Sequence, residues 1–283
     1  MSASKQKVLI TGCSDGGLGA ALAVAFHTAG LHVYATARNP SKMAHLRSLG
    51  IETMTLDVLS DASIAACVSQ ISELDILVNN AGAAYFMPIS DISLDEAKKL
   101  FDLNVWSFLA MYQAFLPLLL KSKGIIVNHT SIASVVTIPF QSVYHASKAA
   151  MAMFSDSQRL ELKPFGVRVV DLKSGAVISN IMENQAATAY PLPKNSIYAP
   201  YADKIDITGK RTMDNAMPAD KWANQVVRNL LKESPPSTIW TNVYQAFLVR
   251  LSMLLPFGWF DGFAKSMVGL DVVEKIAQRP KSD

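Results

Sequence analysis

The chain has 283 residues, half of them hydrophobic and 17% charged, with a formal net charge of +3. That length can bury a sizeable core in one domain, and the small charge, without a long run of one sign, excludes the electrostatic footprint of a nucleic-acid-binding protein. The two cysteines, Cys13 and Cys67, form neither a disulfide framework nor a metal spacing, and the polar stretch 1–7 has no apolar secretory region, so a reducing, cytoplasmic setting is expected.

Strand-like and helix-like segments then alternate along the chain. An apolar run over 7–11 ends at Gly12, and 18–29 carries helical spacing with Leu22, Ala25, Phe26 and Ala29 on one face. A second strand is expected over 31–37, a helix over 41–49 and a third strand over 51–58. Asp61 is expected to cap a helix reaching Ile71. A fourth strand, 75–78, closes on Asn79-Asn80-Ala81-Gly82, and a long helical stretch covers 93–122. The fifth strand, 124–129, contains Ile125-Ile126-Val127; a helix over 144–163 and a sixth strand over 167–172 follow. This order argues for an α/β chain of Rossmann type, a doubly wound parallel sheet with helices on both faces. Runs such as Val8-Leu9-Ile10 and Ile76-Leu77-Val78 suit parallel strands covered on both sides.

From residue 175 to about 217 the pattern fades among Pro191, Pro193 and Pro200, which reads as a lid-like loop inside one domain. Residues 1–242 are expected to form the α/β domain and 243–283 a hydrophobic helical tail. The stretch 243–260 is interrupted by Gln245, Arg250 and Pro256, so it does not read as an ordinary membrane span. The aromatic residues of the tail over 243–272, Phe247, Phe257, Trp259, Phe260 and Phe263, suit a helix covering the pocket or a subunit contact. They also suit attachment to a lipid surface, the endoplasmic reticulum or a lipid droplet, with Arg250 and Lys265 toward the head groups.

The junction Thr11-Gly12-Cys13-Ser14-Asp15-Gly16-Gly17-Leu18-Gly19 lies between the first strand and the first helix. Glycine there permits a tight turn and close approach of the backbone to a pyrophosphate, and the helix N-terminus presents free N–H groups to the anion. Gly12, Ser14, Gly17, Leu18 and Gly19 are therefore candidate cofactor contacts. The second strand ends in Ala35-Thr36-Ala37-Arg38-Asn39. An acid at that place would take the ribose 2′-hydroxyl, whereas an arginine accommodates a 2′-phosphate, so Arg38 favours NADP(H) over NAD. Asp57 is placed to hold the adenine amino group or to cap the following turn.

Tyr144 and Lys148 lie four apart at the opening of an expected helix, on one face. Tyrosine is a weak acid, and a neighbouring ammonium favours its phenolate, which suits it to giving a proton in a carbonyl reduction. The spacing also occurs at Tyr190 and Lys194, but Pro191 and Pro193 forbid a regular helix there. Ser131 stands at the end of the fifth strand, 13 residues before Tyr144, where ligands of open α/β sheets bind; Thr130 and Ser134 are rivals for its role. Asn104 is a candidate buried amide able to hold a water that relays protons to Lys148. His129 and His145, without metal-ligand company, read as satisfied structural histidines, and Tyr198 and Tyr201 either touch substrate or pack on the domain.

In this order, Thr11-Gly12 through Gly19, Asp57-Val58, Asn79-Asn80-Ala81-Gly82, Asn104, Ser131, Tyr144-x-x-x-Lys148 and Ser174-Gly175 resemble the short-chain dehydrogenase/reductase family over residues 7–181. The resemblance implies about seven strands and an Asn–Ser–Tyr–Lys tetrad at Asn104, Ser131, Tyr144 and Lys148. It implies cofactor contacts at Val58, Asn80, Ala81 and Gly82, with Val177 and Ser179 near the nicotinamide amide, and a dimer or tetramer through the helices around 93–122 and 144–163. Two positions depart from the family pattern: Gly16-Gly17 adds a residue to the turn, and Ser174-Gly175 stands where Pro-Gly is usual. A narrower similarity, through Gly175-Ala176-Val177, Ile197-Tyr198 and the tail, is to the branch of NADPH-dependent 1-acyldihydroxyacetone-phosphate reductases, many of whose relatives reduce polyketide or terpenoid ketones. The expectation is an NADPH-dependent reductase of an apolar ketone. The alternatives are an isomerase, dehydratase or cyclase on the same fold without net redox, and a cofactor-binding sensor.

Overall fold

The structure is a computed structural model and describes residues 5–180, 191–213, 215–256 and 258–278. Tyr190 of the second Tyr–Lys pair and Phe257 of the tail lie outside the described residues. Seven strands pair in parallel in the order β3-β2-β1-β4-β5-β6-β7. They are β1 Lys7–Ile10, β2 His32–Ala37, β3 Glu52–Thr55, β4 Ile76–Asn79, β5 Ile125–His129, β6 Arg168–Lys173 and β7 Thr238–Trp240.

Side chains alternate between the two faces, as the pleat requires. Val8, Ile10, Val33, Ile76 and Val127 turn to one core with Leu22 and Phe26 of α1 (Leu18–Thr28) and with Trp222 and Val226 of the helix Ala219–Leu230. Leu9, Leu77, Ile126 and Val169 turn to the other core, against Ile64, Met111, Phe115 and Leu119. Strands buried on both faces are uniformly apolar for this reason.

Several element boundaries differ from expectation. The stretch after β2 is a 3-10 turn, Pro40–Met43, capped by the Asn39 side chain, followed by the short α2, Ala44–Ser48. The cap of α3 (Asp61–Val68) is Ser60, whose Oγ accepts from the Ser63 N–H; Asp61 is the first helical residue. The stretch expected as one helix over 93–122 contains α4 (Leu94–Phe101), a π-helical turn (Asp102–Trp106) and α5 (Ser107–Ser122). By length and composition this stretch could cross a membrane; its apolar character is the core face it lays on the sheet. α6 spans Ser142–Leu162, beginning two residues earlier than expected.

The helix Ala219–Leu230 is α7, and the tail folds into α8 (Val243–Ser252), α9 (Asp261–Val268) and α10 (Leu270–Ala277). The described parts of the lid-like stretch carry 3-10 turns at Ala199–Tyr201 and Lys210–Met213, and Val177 bridges Met217. Tyr198 packs on Phe140 with ring centroids 5.2 Å apart, in a small cluster that includes Ile138, Ala264 and Val268. The lid-like stretch and the tail therefore share a core of their own.

Candidate active site

All seven strands run the same way, so their C-terminal ends meet along one edge of the sheet. A cleft of about 1340 Å³ opens there, where a doubly wound sheet is expected to receive its ligand. Gly12, Ser14, Gly17 and Leu18 line it from the first turn, Arg38 from the end of β2, and Asp57 and Val58 from the end of β3. Asn80, Ala81, Gly82, Ser131, Tyr144, Lys148, Val177 and Ser179 line it from the other side.

Two of the expected site residues stand back from the cleft, Gly19 and Asn104. A Cβ on Gly19 would lie 2.4 Å from the Gly12 carbonyl oxygen, so this glycine lets α1 pack against the turn. Asn104, fully buried in the π-helical turn, uses both ends of its amide. Its Oδ1 accepts from the Ala83 N–H, and its Nδ2 donates to the Ala83 carbonyl and the Ser147 hydroxyl. π-turns of this kind often mark functional sites. The point where a Cβ on Gly82 would stand lies 3.1 Å from Asn104 Oδ1 and 3.7 Å from Lys148 Nζ. Gly82 thus keeps open a space flanked by both groups.

The added glycine also finds its place. Gly16 has φ +76°, and a Cβ there would strike the Asn180 side chain at 2.3 Å. It faces the strip after β6, where Asn180 Nδ2 donates to the Asp15 carbonyl, while Gly17 lines the cleft as the N-cap of α1.

Lys148 is buried, and its Nζ donates to the His129 carbonyl at 2.9 Å. Burial lowers its pKa from 10.5 to about 8, with nearby Asp171 opposing the shift. Nζ lies 5.9 Å from the Tyr144 ring centroid. Burial raises the Tyr144 pKa, and hydrogen bonding from Ser131 pulls it back. The protein alone therefore holds Tyr144 as a neutral phenol, the form that gives a proton.

Of the three hydroxyls at the end of β5, two are engaged elsewhere. Thr130 donates to the Asp171 carboxylate; Ser134 donates to the Ser131 carbonyl and accepts from Lys173 Nζ. Ser131 holds the Ala133 N–H and makes a long 3.3 Å bond to the Ser174 carbonyl, so it is the hydroxyl free to turn to a substrate. Asp57 Oδ1 caps the Leu59 N–H, and the residue also faces the cleft.

The cleft fits a dinucleotide on its own chemistry. A Cβ on Gly12 would stand 2.9 Å from the Ala81 Cα, so the turn closes against the end of β4 as tightly as backbone allows. The Ser179 hydroxyl is buried, with no hydrogen-bond partner among the described residues. Arg38 and Lys42, both exposed, bring two cations beside Ser14 and Asp15. Among the described residues no group of three His, Cys, Asp or Glu side chains could hold a metal.

The sequence matches the short chain dehydrogenase family profile over residues 6–189. The chain belongs to the short-chain dehydrogenase family. It is an oxidoreductase, and a short-chain dehydrogenase/reductase of Pestalotiopsis microspora is 53% identical over 97% of the chain and 98% of that protein. The NADPH-dependent 1-acyldihydroxyacetone phosphate reductase of Schizosaccharomyces pombe is 33% identical over 93% and 94%. Among solved structures, a short-chain dehydrogenase from Streptomyces avermitilis superposes with a TM-score of 0.77 at 26% identity over both full chains. Relatives of the same fold carry different nicotinamides. The Burkholderia cenocepacia enzyme is in complex with NADP (TM-score 0.70, 21% identity, 99% and 100% covered) and that of Burkholderia phymatum with NAD (0.74, 21%, 89% and 94%).

Sequence reasoning for this short-chain dehydrogenase missed Lys42 and Gln141 as parts of the site; it offered the tail as a pocket cover beside a subunit or lipid contact, without assigning its residues to the site. Lys42 lies four residues beyond Arg38, within the 3-10 turn that brings both to the cleft rim. Gln141 opens α6 and contacts His145 Nε2 at 3.3 Å. Tyr244, Leu248 and Val249 of α8 and Phe260, Phe263 and Met267 around α9 form an apolar wall. Phe260 and Phe263 stood out in the sequence as tail aromatics; long-range packing brings in Tyr244, Leu248, Val249 and Met267. The Gln245 Oε1 accepts from the Ala176 N–H at 2.6 Å and Asn242 Nδ2 donates to the Ala176 carbonyl, fastening α8 to the strip after β6.

Proposed function

We propose that the chain is an NADPH-dependent carbonyl reductase of a ketone with an apolar body, such as an acyldihydroxyacetone phosphate or a ketone of specialised metabolism. The observation that carries this reading is the placement of Ser131, Tyr144 and Lys148 in one cleft whose far wall is the apolar face of the tail. NADPH supplies the hydride when bound. Gly12, Ser14, Gly17, Leu18, Asn80, Ala81 and Gly82 would hold its body, Asp57 and Val58 its adenine end, and Val177 and Ser179 its amide. Arg38 with Lys42 would hold the 2′-phosphate, and no acid at the end of β2 competes for it.

Tyr144 gives its phenolic proton to the substrate oxygen while Ser131 donates a hydrogen bond to that oxygen. Lys148, still mostly protonated at neutral pH, stabilises the phenolate that remains. Reprotonation from solvent would pass through the space between Lys148 Nζ and Asn104 Oδ1 at Gly82. The intact Ser–Tyr–Lys set favours net reduction over isomerisation or a sensor role.

The test follows NADPH and NADH oxidation over a panel of ketones that includes acyldihydroxyacetone phosphate. NADPH should be oxidised faster and in proportion to alcohol formed. Tyr144→Phe should lower kcat at least about 10²-fold with NADPH affinity unchanged; retained turnover removes the tyrosine from the mechanism, and faster NADH use overturns the role of Arg38.

The same reading places the cleft mouth at a lipid surface. Tyr244 and Phe263 line the cleft yet are more than half exposed, and the exposed Phe247, Leu254 and Trp259 continue the apolar strip outward. Trp106, Met153 and Leu160 are exposed on the long helices, which supports a homo-oligomer through that side.

A further inference from the structure

His129 ends β5 and is largely buried at the cleft floor. Its Nδ1 lies 2.9 Å from Asn80 Oδ1 and its Nε2 lies 2.8 Å from Ser174 Oγ. The ring stacks on Trp222, with centroids 5.2 Å apart, and the Trp222 Nε1–H donates to the same Ser174 hydroxyl at 2.9 Å. Asn80 in turn donates from Nδ2 to the Thr11 and Gly12 carbonyls at 2.8 and 3.3 Å.

The direction of every bond in this chain follows from its two ends. Indole N–H can only donate, so Ser174 Oγ accepts from Trp222. Asn80 must present its carbonyl oxygen to His129, because its NH₂ serves the two backbone carbonyls of the turn. The ring therefore donates from Nδ1. Burial, with the Lys148 charge adding to it, pushes the His129 pKa down to about 3, so the ring is neutral and Nε2 carries a lone pair. Ser174 then gives its own proton to Nε2. The run is Trp222 to Ser174 to His129 to Asn80 to the Thr11–Gly12 carbonyls, each group both accepting and donating between the ends.

We propose that His129, locked as the Nδ1–H tautomer by Ser174, is a positioning residue that sets Asn80 and thereby the phosphate-binding turn of the cofactor cleft. Ser174 is the residue that makes this possible, because its hydroxyl accepts from Trp222 and passes its own proton to His129. The Lys148 ammonium is held by the His129 main-chain carbonyl, which any residue at position 129 retains. The side chain thus acts on cofactor affinity and the backbone on catalysis, and the two effects separate. The inference rests on the NADPH reading above.

The test compares His129→Asn, His129→Gln and His129→Leu, with Ser174→Ala as a break at a second link. An Asn amide can occupy the Nδ1 position and donate to Asn80, whereas Gln reaches toward Ser174 instead. NADPH dissociation constants should rise about tenfold in the Leu, Gln and Ser174→Ala variants, the size of one lost hydrogen bond, and stay within about threefold of wild type in the Asn variant. kcat at saturating NADPH should change little in all four. In the wild-type protein, ¹⁵N resonances of His129 should show a protonated Nδ1 and an unprotonated Nε2, and Ser174→Ala should mix the tautomers. Equal NADPH affinity in all variants, no rescue by Asn, or a protonated Nε2 overturns the inference. Wild-type protein that binds no NADPH but keeps the Nδ1–H tautomer overturns the cofactor reading instead.

Discussion

Lys148 shows how the site trades stability for function at a single residue. Its folded pKa, about 8, lies below its unfolded value of 10.5. Between those values the unfolded chain binds a proton that the folded chain does not, so stability rises with pH through that window. Below about 8 both states are charged, and the buried ammonium costs stability in full, offset in part by Asp171 and the His129 carbonyl. Lys148→Met keeps the apolar stem and removes the charge. We expect it to raise the Tm near pH 7 by a few degrees, with the gain shrinking toward pH 10.5, while turnover falls by at least about 10²-fold. Thermal unfolding at the two pH values checks this; a lower Tm near pH 7 would mean that the ammonium is a net structural asset. His129 acts with the same sign in the acid range. Its folded pKa of about 3 lies below the ordinary 6.5, so stability falls as pH drops through that interval.

At the scale of elements, what could be read in the chain tracks how local the cause is. β4 and β5 show in the sequence because a strand covered on both faces must be apolar throughout, and Ile76-Leu77-Val78 and Ile125-Ile126-Val127 are. Ser131, Tyr144 and Lys148 were legible because strand end and helix start follow one another in the chain. The π-helical turn at Asn104 was not, because a single widened turn of this kind inside an α-helix is too short to break the apolar pattern around it. The tail's apolar character was legible and left a pocket cover, a subunit contact and a lipid contact open; which residues form the wall was not, because a wall made some hundred positions downstream has no local signal. Its attachment turns on Asn242. This residue has φ 58°, caps α8 by accepting from the Gln245 N–H, and donates to the Ala176 and Asn215 carbonyls. Asn242→Ala loses the cap and both side-chain bonds and keeps a left-handed backbone that alanine resists. We expect a loss of about 2–4 kcal/mol from these terms together, read by urea denaturation, and a raised KM for ketone with the α8 wall loosened. Asn242→Gly relieves only the backbone strain and should recover part of the stability and none of the KM. A variant with unchanged KM would detach α8 from the site.

Over the whole molecule, the exposed apolar surface of the tail is concentrated beside the cleft mouth. Phe247 is 63% exposed, Leu254 83% and Trp259 71%, on or just after the helix whose inner face closes the pocket. Water is a poor solvent for a ketone with an apolar body, and a mouth set in a lipid surface lets such a substrate enter without crossing it. Lys265 is already paired with Glu274 at 3.0 Å, which leaves Arg250, exposed on α8, as the cation of the strip best placed to meet lipid head groups. Deleting the tail cannot test this, because α8 also holds Ala176 and the pocket wall would go with it. Leu254→Glu combined with Trp259→Glu can, since neither residue lines the cleft. Each buried apolar side chain is worth roughly 1.5–3 kcal/mol, so the pair should lower partitioning onto phosphatidylcholine vesicles by far more than about tenfold. Turnover of a small water-soluble ketone should not change, while turnover of a long-chain ketone presented in vesicles should fall with binding. An added anionic lipid should strengthen wild-type binding, and Arg250→Gln should remove that increment. Wild-type protein that stays in solution beside vesicles, or a double variant that binds them equally well, would leave the strip without a lipid partner and return it to subunit contact.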